Sequence, residues 1–448
     1  MSVSLLWTDI MIWGLMLSLI AWARVVGRSV QVKKQWLKVF ESKVAMTSAL
    51  VLLFYVTFAL LDSVHFTMDG EGAKTQSILD AALPHLVDQT ERTYSAPFAT
   101  TEYNRSMQVL DNGEVMHDYR PLKFVDGSVS IVLESVKAVI TGLAISLLVI
   151  FLHLFWRSRK QDHAFFEHVK VVLRGQTPLP WRTAYLTITI MVVSLSWLYI
   201  LSHSYHVLGT DKVGGDVLYE SLKSIRTGVL IGVLTTLVML PVALILGISA
   251  GLFKGWVDDV IQYLYTTLNS IPGVLLIAAA VLVMQVIMSN NPDWFSTTEE
   301  RADVRLLFLI LILGVTSWTG LCRLLRAETL KISQIEFVVA ARAFGVSRFQ
   351  IIRRHILPNV MHIVLIAVVL DFSGLVLAEA VLSYVGVGVD PTMHSWGNMI
   401  NQARLEMARE PMVWWSLFSA FFFMFILVLA ANLFSDRVQI VLDPRSHK

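Results

Sequence analysis

With 448 residues, 55% hydrophobic content and a mean hydropathy of +0.63, the chain is far more apolar than a soluble domain, and its 16% charged content lies well below the ~25% usual for one. A formal net charge of +2 excludes the strongly basic balance of a nucleic-acid binder, so the distribution of charge matters more than its sum. The single Cys322 lies in an apolar run, which excludes an intrachain disulfide and suits a small buried side chain.

Nine apolar runs are long enough to cross a hydrocarbon core, for which about 20 residues are needed: Leu6 to Ala23, Val44 to Leu61, Ile131 to Trp156, Thr183 to Leu201, Thr227 to Phe253, Leu264 to Met288, Val304 to Leu325, Met361 to Val387 and Met412 to Phe434. The first lacks a basic n-region and a small-residue cleavage site, so it is expected to remain as a membrane helix. An odd number of spans puts the termini on opposite sides. Placing 24–43, 157–182, 254–263, 323–357 and 437–448 inside gives that side 23 Lys/Arg, against 10 in the opposite loops. The positive-inside rule then predicts the N-terminus outside and the C-terminus inside.

The long outer loop, 62–130, holds eleven Asp/Glu against five Lys/Arg. Its Tyr94, Phe98, Tyr103, Met107 and Tyr119, with turn signals such as Asp111-Asn112-Gly113, fit a small folded lobe; a poorly ordered acidic loop is the alternative. His65, His85 and His117 have no metal-ligand spacing and read as solvated. The inner segment 157–182 is basic and carries Phe165, Phe166, Val171, Val172 and Leu173, which suits an amphipathic surface helix or a tether.

Further along, Gly209, Gly214 and Gly215 in the outer stretch His206 to Leu218 permit tight turns, and Asp211 and Asp216 are suited to capping helix ends. Pro272 falls inside the sixth apolar run, where it marks either a kink or a broken helix lining a pathway. Between the seventh and eighth runs lies a polar, basic loop, EFVVAARAFGVSRFQIIRRHILPN, from Glu336 to Asn359. A short helix from Glu336 to Phe344 should be capped by Gly345, and Ser347 with Gln350 three residues on should start a second helix, Arg348 to Ile356, that Pro358 stops. Small and apolar residues (Ala340, Ala341, Phe344, Gly345) among Arg342, Arg348, Arg353 and Arg354 suggest a docking surface. The eighth run contains two intramembrane acids, Asp371 and Glu379, about 80° apart around a helix, so both are expected to face the bundle interior.

Several of these stretches together resemble the permeases of ATP-binding-cassette (ABC) importers of the dipeptide/oligopeptide/nickel type. AARAFG followed by RHILPN is similar to that family's EAA loop, and LGTDKVGGDV resembles its LGTDxxGRDV signature with Gly215 in place of the Arg. The paired Asp258-Asp259 loop leading to Pro272, the run Glu379 to Gly388 (EAVLSYVGVG), Ser395-Trp396-Gly397 and the tail Leu442-Asp443-Pro444-Arg445 also fit the family's patterns, in order. One departure is Val339, where the family has Glu.

The resemblance implies an all-α polytopic protein: a type I ABC importer permease core of six helices over 183–448, plus three extra helices and the 62–130 lobe in 1–182. It implies a coupling loop at 327–358 that seats in a cytosolic ATPase, through Glu336, Ala340, Ala341, Arg342, Phe344, Gly345, Ser347 and Arg348. Pro272, Asp371 and Glu379 become translocation or gating candidates, and Gly209, Asp211, Gly214, Asp216, Trp396 and Gly397 an extracytoplasmic loop motif. The implied partners are a second related permease, two cytosolic ABC ATPases and an extracytoplasmic binding protein, in a bacterial inner membrane. ATP and Mg would sit on the ATPases, since this chain has no GxxxxGK[ST] and no catalytic or metal-ligating set. Peptide is the expected cargo. The rival reading is an ion-coupled secondary transporter relaying protons through Asp371 and Glu379, for which an inverted repeat would be expected and none is found.

Overall fold

A computed structural model describes residues 2–4, 6–27, 30–67, 75–109, 115–125, 127–161, 165–295 and 297–442. The expected Asp111-Asn112-Gly113 turn and Asp443-Pro444-Arg445 tail lie outside the described residues. The protein is predominantly helical, and eight helical segments are long and apolar enough to span a membrane: Lys43–Asp62, Ile131–Arg159, Trp181–Leu201, Val217–Phe253, Gly273–Asn290, Thr298–Ile332, Ile363–Tyr384 and Trp415–Val441. These coincide with eight of the nine expected runs. At the remaining run lies the helix Trp7–Gly27, some of whose side chains are outside the description.

The chain packs as two compact units. One comprises Met1–Ser4, Arg24–Arg226 and His394–Ala430. Within it, Gly142 of helix Ile131–Gln161 lies against helix Trp181–Leu201 so closely that a Cβ would stand 2.8 Å from Val193 Cα, the close approach that small residues allow between membrane helices. The described part of 62–130 forms short strands and helices. His65–Thr67 pairs antiparallel with both Thr75–Ser77 and the N-terminal strand Ser2–Ser4, and Ser106–Val109 pairs with Val115–Asp118. Short helices Ile78–Ala82, with a Ser77/Asp80 capping box, and Pro84–Asp88 complete it.

The other unit comprises Leu5–Ala23, Thr227–Met393 and Ala431–Lys448. Its core gathers Met239, Ile248, Trp318, Leu321, Cys322, Leu325, Val338, Ile351, Ile356 and Val364, all buried. Gly247 lies against the Cys322 backbone and Gly251 against Thr329, so the C-terminal part of Val217–Phe253 crosses Thr319–Ile332 at close range. Asp303 anchors the start of Trp7–Gly27, accepting from the Thr8 backbone N–H at 3.1 Å and from its hydroxyl.

Three sequence expectations change. The run Leu264 to Met288 is not one helix: Trp256–Ser270 ends, Ile271 is extended (φ −91°, ψ 132°), and Gly273–Asn290 begins after Pro272. Proline disfavours helical dihedrals in the residue before it and has no N–H to continue the ladder, which makes a break here in place of a kink. Pro358 does not stop a helix. A π turn, Ile352–Ile356, leads directly into Leu357–Tyr384, and the widened turn places Pro358 in the first turn of the new helix, where a missing N–H is tolerated. The fifth membrane helix begins at Val217, well before Thr227, so Glu220, Lys223 and Arg226 are helical.

Candidate functional site

The loop between the membrane segments Thr298–Ile332 and Ile363–Tyr384 is a helix, a glycine turn and a second helix. Helix Glu336–Ala343 ends where Gly345 adopts φ +74°, a left-handed conformation that favours glycine, and a Cβ there would meet nothing within 4 Å. Ser347 then caps the next turn by accepting from Gln350 N at 3.3 Å. The motif is seated from beneath by Val338, Ile351, Ile356 and Val360, each at most 1% exposed.

Its opposite side faces outward. Phe344 is 88% exposed and Phe349 72%, with Glu336, Ala340, Arg342, Gly345, Ser347 and Arg348 also exposed and Ala341 half-buried. The Arg348 guanidinium lies 5.1 Å from the Phe253 ring. Two phenyl rings with that exposure beside the glycine turn leave an apolar surface open on this side of the loop. Val339, at the position of the family's Glu, is 49% exposed. An acid there would meet solvent or a partner, and the core does not require one.

Behind the loop, Asp258 accepts from Arg326 Nε and Nη2 at 2.5 and 2.7 Å, a bidentate pair tying helix Trp256–Ser270 to Thr319–Ile332. The Arg326 guanidinium holds the Asp258 carboxyl below the usual carboxylate range. Of the three translocation candidates, Pro272 is exposed at a helix start. Glu379 is buried and accepts from Ser383 Oγ at 2.7 Å. Asp371 is half-buried with no hydrogen bond among the described residues.

A second constellation joins the 62–130 lobe to the outer-loop motif within one packing unit. Asp211 Oδ1 accepts from Val213 N and Gly215 N at 3.0 and 2.6 Å; Asp216 Oδ1 accepts from Leu218 N at 2.8 Å and so caps Val217–Phe253. Gly209 (φ +74°) lies against Ser95 O and the Trp415 indole, and Gly214 (φ +80°) against the backbone of Glu91. The Glu91 carboxylate accepts from Lys123 N and Phe124 N at 3.0 and 2.9 Å. Trp396, 2% exposed, donates its indole N–H to Ser221 O at 3.1 Å, and Gly397 is buried beside it.

The charged members of this network have no local sequence signature. His206 Nδ1 is 2.7 Å from Asp216 Oδ2, with Glu91 Oε1 3.7 Å from its other ring nitrogen. Burial alone would lower its pKa, but the two carboxylates outweigh that and hold it above the ordinary 6.5. Lys223 Nζ meets Asp62 Oδ1 and Asp80 Oδ1 at 2.8 Å each, and Tyr219 donates to Asp80 Oδ1 at 2.7 Å. Burial pushes the Asp80 carboxyl up, yet the Lys223 charge and the hydrogen bonds it receives outweigh that and hold it below the usual carboxylate range. Tyr94 donates to Glu406, and Trp415 donates to Thr210 O at 3.0 Å. His85, expected to be solvated, instead stacks on His203 at 3.8 Å with Nε2 2.8 Å from Ser202 Oγ. A lysine within two turns of a membrane helix start, facing a loop rich in acids, was the one available hint of these pairings.

No group of three His, Cys, Asp or Glu suited to a metal occurs among the described residues. Residues 243–448 match the family described as binding-protein-dependent transport system inner membrane component. The dipeptide transport system permease protein DppC of Bacillus subtilis is 30% identical over 54% of this chain and 69% of its own length. The oligopeptide permease protein OppC of Haemophilus influenzae is 31% identical over 54% of this chain and 71% of its own; the glutathione permease protein GsiD of Pectobacterium atrosepticum is 30% identical over 54% and 73%. A chain from the inward-facing MetNI methionine ABC transporter covers 50% of this chain and 97% of its own at 17% identity and a TM-score of 0.39. Neither the family nor these relatives support the ion-coupled alternative. The chain belongs to the family of inner membrane components of binding-protein-dependent transport systems, and is a multi-pass permease of that family.

Proposed function

We propose that this permease carries peptides inward, with transport driven by ATP hydrolysed, with Mg, on two separate cytosolic ATPase subunits, and that it pairs in the membrane with a second related permease and receives cargo from an extracytoplasmic binding protein. The observation that carries the reading is the seated turn at Phe344 and Gly345. It is fixed from below by buried Val338, Ile351 and Ile356, and it presents Ala340, Phe344, Phe349 and Arg342 outward. A rigid apolar knob ringed by arginines suits a cleft with acidic or polar walls, and rigid seating lets movement of the cleft reach the membrane helices. The peptide, oligopeptide and glutathione names of the relatives support the cargo class.

The N-terminus is assigned outside and the C-terminus inside. Pairing of Ser2–Ser4 with His65–Thr67 supports this by putting the N-terminus on the side of the lobe. Reconstitution of the permease pair with its ATPases and binding protein in proteoliposomes tests the whole reading. Uptake of labelled peptide should require ATP and the binding protein. Uptake driven by a proton gradient with ATP excluded would overturn it.

A further inference from the structure

The inner ends of helices Ile131–Gln161 and Trp181–Leu201, far in sequence from any family motif, hold a cluster that the transport reading does not use. The Arg157 guanidinium lies over Trp181, with Cζ 4.5 Å from the ring centroid. The His153 ring is 4.8 Å from the same indole, and His153 Nδ1 is 2.8 Å from the Tyr185 hydroxyl. Arg159 sits 4.8 Å over Phe155, one turn from Trp156, which is 61% exposed.

Two donors in this cluster are unmatched. Arg157 Nε and Trp181 Nε1 are both buried, and neither has a hydrogen-bond acceptor among the described residues. Buried donors are costly when unpaired, and a guanidinium adds a positive charge to the same place. An anionic oxygen entering between the last turn of one apolar helix and the first turn of the next would match both donors and the guanidinium charge. Exposed Arg159 and Arg182 flank the spot and add to its positive potential. At the end of a membrane span, lipid phosphodiesters supply anionic oxygens, basic residues there attract them, and the exposed aromatics Phe155 and Trp156 suit the headgroup level.

We propose that this cluster binds the headgroup phosphate of an anionic glycerophospholipid, in the inner leaflet on the orientation given above. Arg157 and Trp181 donate to the phosphate, Arg159 and Arg182 supply the surrounding charge, and the acyl chains run along the exposed apolar faces of the two helices.

The test uses the full chain in nanodiscs of phosphatidylcholine, alone, with phosphatidylglycerol added, or with inorganic phosphate in the buffer. Phosphatidylglycerol should raise Tm by about 3 °C or more, and inorganic phosphate should not. The rise should vanish in Arg157→Gln and shrink in Trp181→Phe. An equal rise with inorganic phosphate would assign the cluster to a free anion and overturn the lipid reading; an undiminished rise in Arg157→Gln, or none in the parent, would overturn the site. Hydrogen exchange of the unmodified protein keeps the test independent of how the variants fold. Phosphatidylglycerol should slow exchange across 153–159 and 181–185 relative to phosphatidylcholine, and unchanged exchange there would overturn the proposal.

Discussion

His206 stands 2.7 Å from Asp216 through Nδ1, and the other oxygen of the same carboxylate caps the first turn of Val217–Phe253. The imidazole thus fastens the outer loop to a helix start, with Glu91 of the lobe on its far side. Because the carboxylates raise its pKa in the folded protein above 6.5, this contribution is complete below 6.5 and is lost as pH rises through the raised value. His85 and His394 act in the opposite sense. Burial, helped by the charges of His203 and Lys223 respectively, brings each down to about 4, so stability falls as pH drops from 6.5 toward 4. Thermal unfolding scanned from about pH 4 to about pH 9 should show a maximum between the two limbs. His206→Gln should flatten the alkaline limb and leave the acid limb; an unchanged alkaline slope would assign it to other groups.

Gly214 gives a purely steric test of the same contact. At φ +80° with the Glu91 backbone against its Cα, alanine meets both strain and a collision, whereas Gly255, at φ +60°, has nothing within 4 Å of a Cβ. Gly255 has ψ −142°, outside the left-handed helical well, and holding a non-glycine residue in such a sparsely populated region costs about 1–3 kcal/mol. Gly255→Ala should lose that much, and Gly214→Ala clearly more, when unfolding is followed in detergent. Equal losses would show that the lobe yields at Glu91 without cost.

The spans were legible because hydrophobicity is additive along a run: eight of the nine expected runs contain a helix long and apolar enough to span, although one of them is broken at Ile271 and another starts ten residues early, at Val217; the helix–glycine–helix of the loop follows from Gly345 and Ser347. The break at Ile271 was not legible, since a chain interruption leaves apolar content unchanged and Pro272 fits a kink as well as a stop. The π turn before Pro358 was missed because no residue type announces the wider turn. Asp211 and Asp216 as caps could be read locally. Glu91, Asp62, Asp80, Lys223 and Glu406 could not, because their partners lie from tens to hundreds of residues away and only the fold brings them together.

Lys223 tests how firmly the lobe is fixed. Its ammonium meets Asp62 and Asp80 where all three side chains are largely buried. Removing it leaves two carboxylates without their counter-ion, and breaking a buried pair from one side typically costs about 3–5 kcal/mol. Lys223→Met keeps the apolar stem, so its effect reports the charge. Limited proteolysis across 62–130 should speed up sharply in Lys223→Met and recover when Asp62→Asn and Asp80→Asn are added. No recovery would mean that packing, and not charge, holds the lobe.

Phe344 separates docking from folding at the coupling loop. Its ring is 88% exposed and contributes nothing to the core beneath it, so Phe344→Asp should insert and unfold like the parent. On the proposed function that ring seats in the ATPase, where a carboxylate would be buried without a partner, so co-purification of the ATPase should fall at least ~10-fold. Val339→Glu is the complementary change. Val339 is 49% exposed, so the acid costs the fold little, and it restores the residue common in the family. It should leave ATPase association intact and change the rate of ATP-driven uptake if that acid times the coupling. Normal ATPase recovery with Phe344→Asp would move the docking surface away from this turn, and Arg342 and Arg348 would then lose their assigned partner with it.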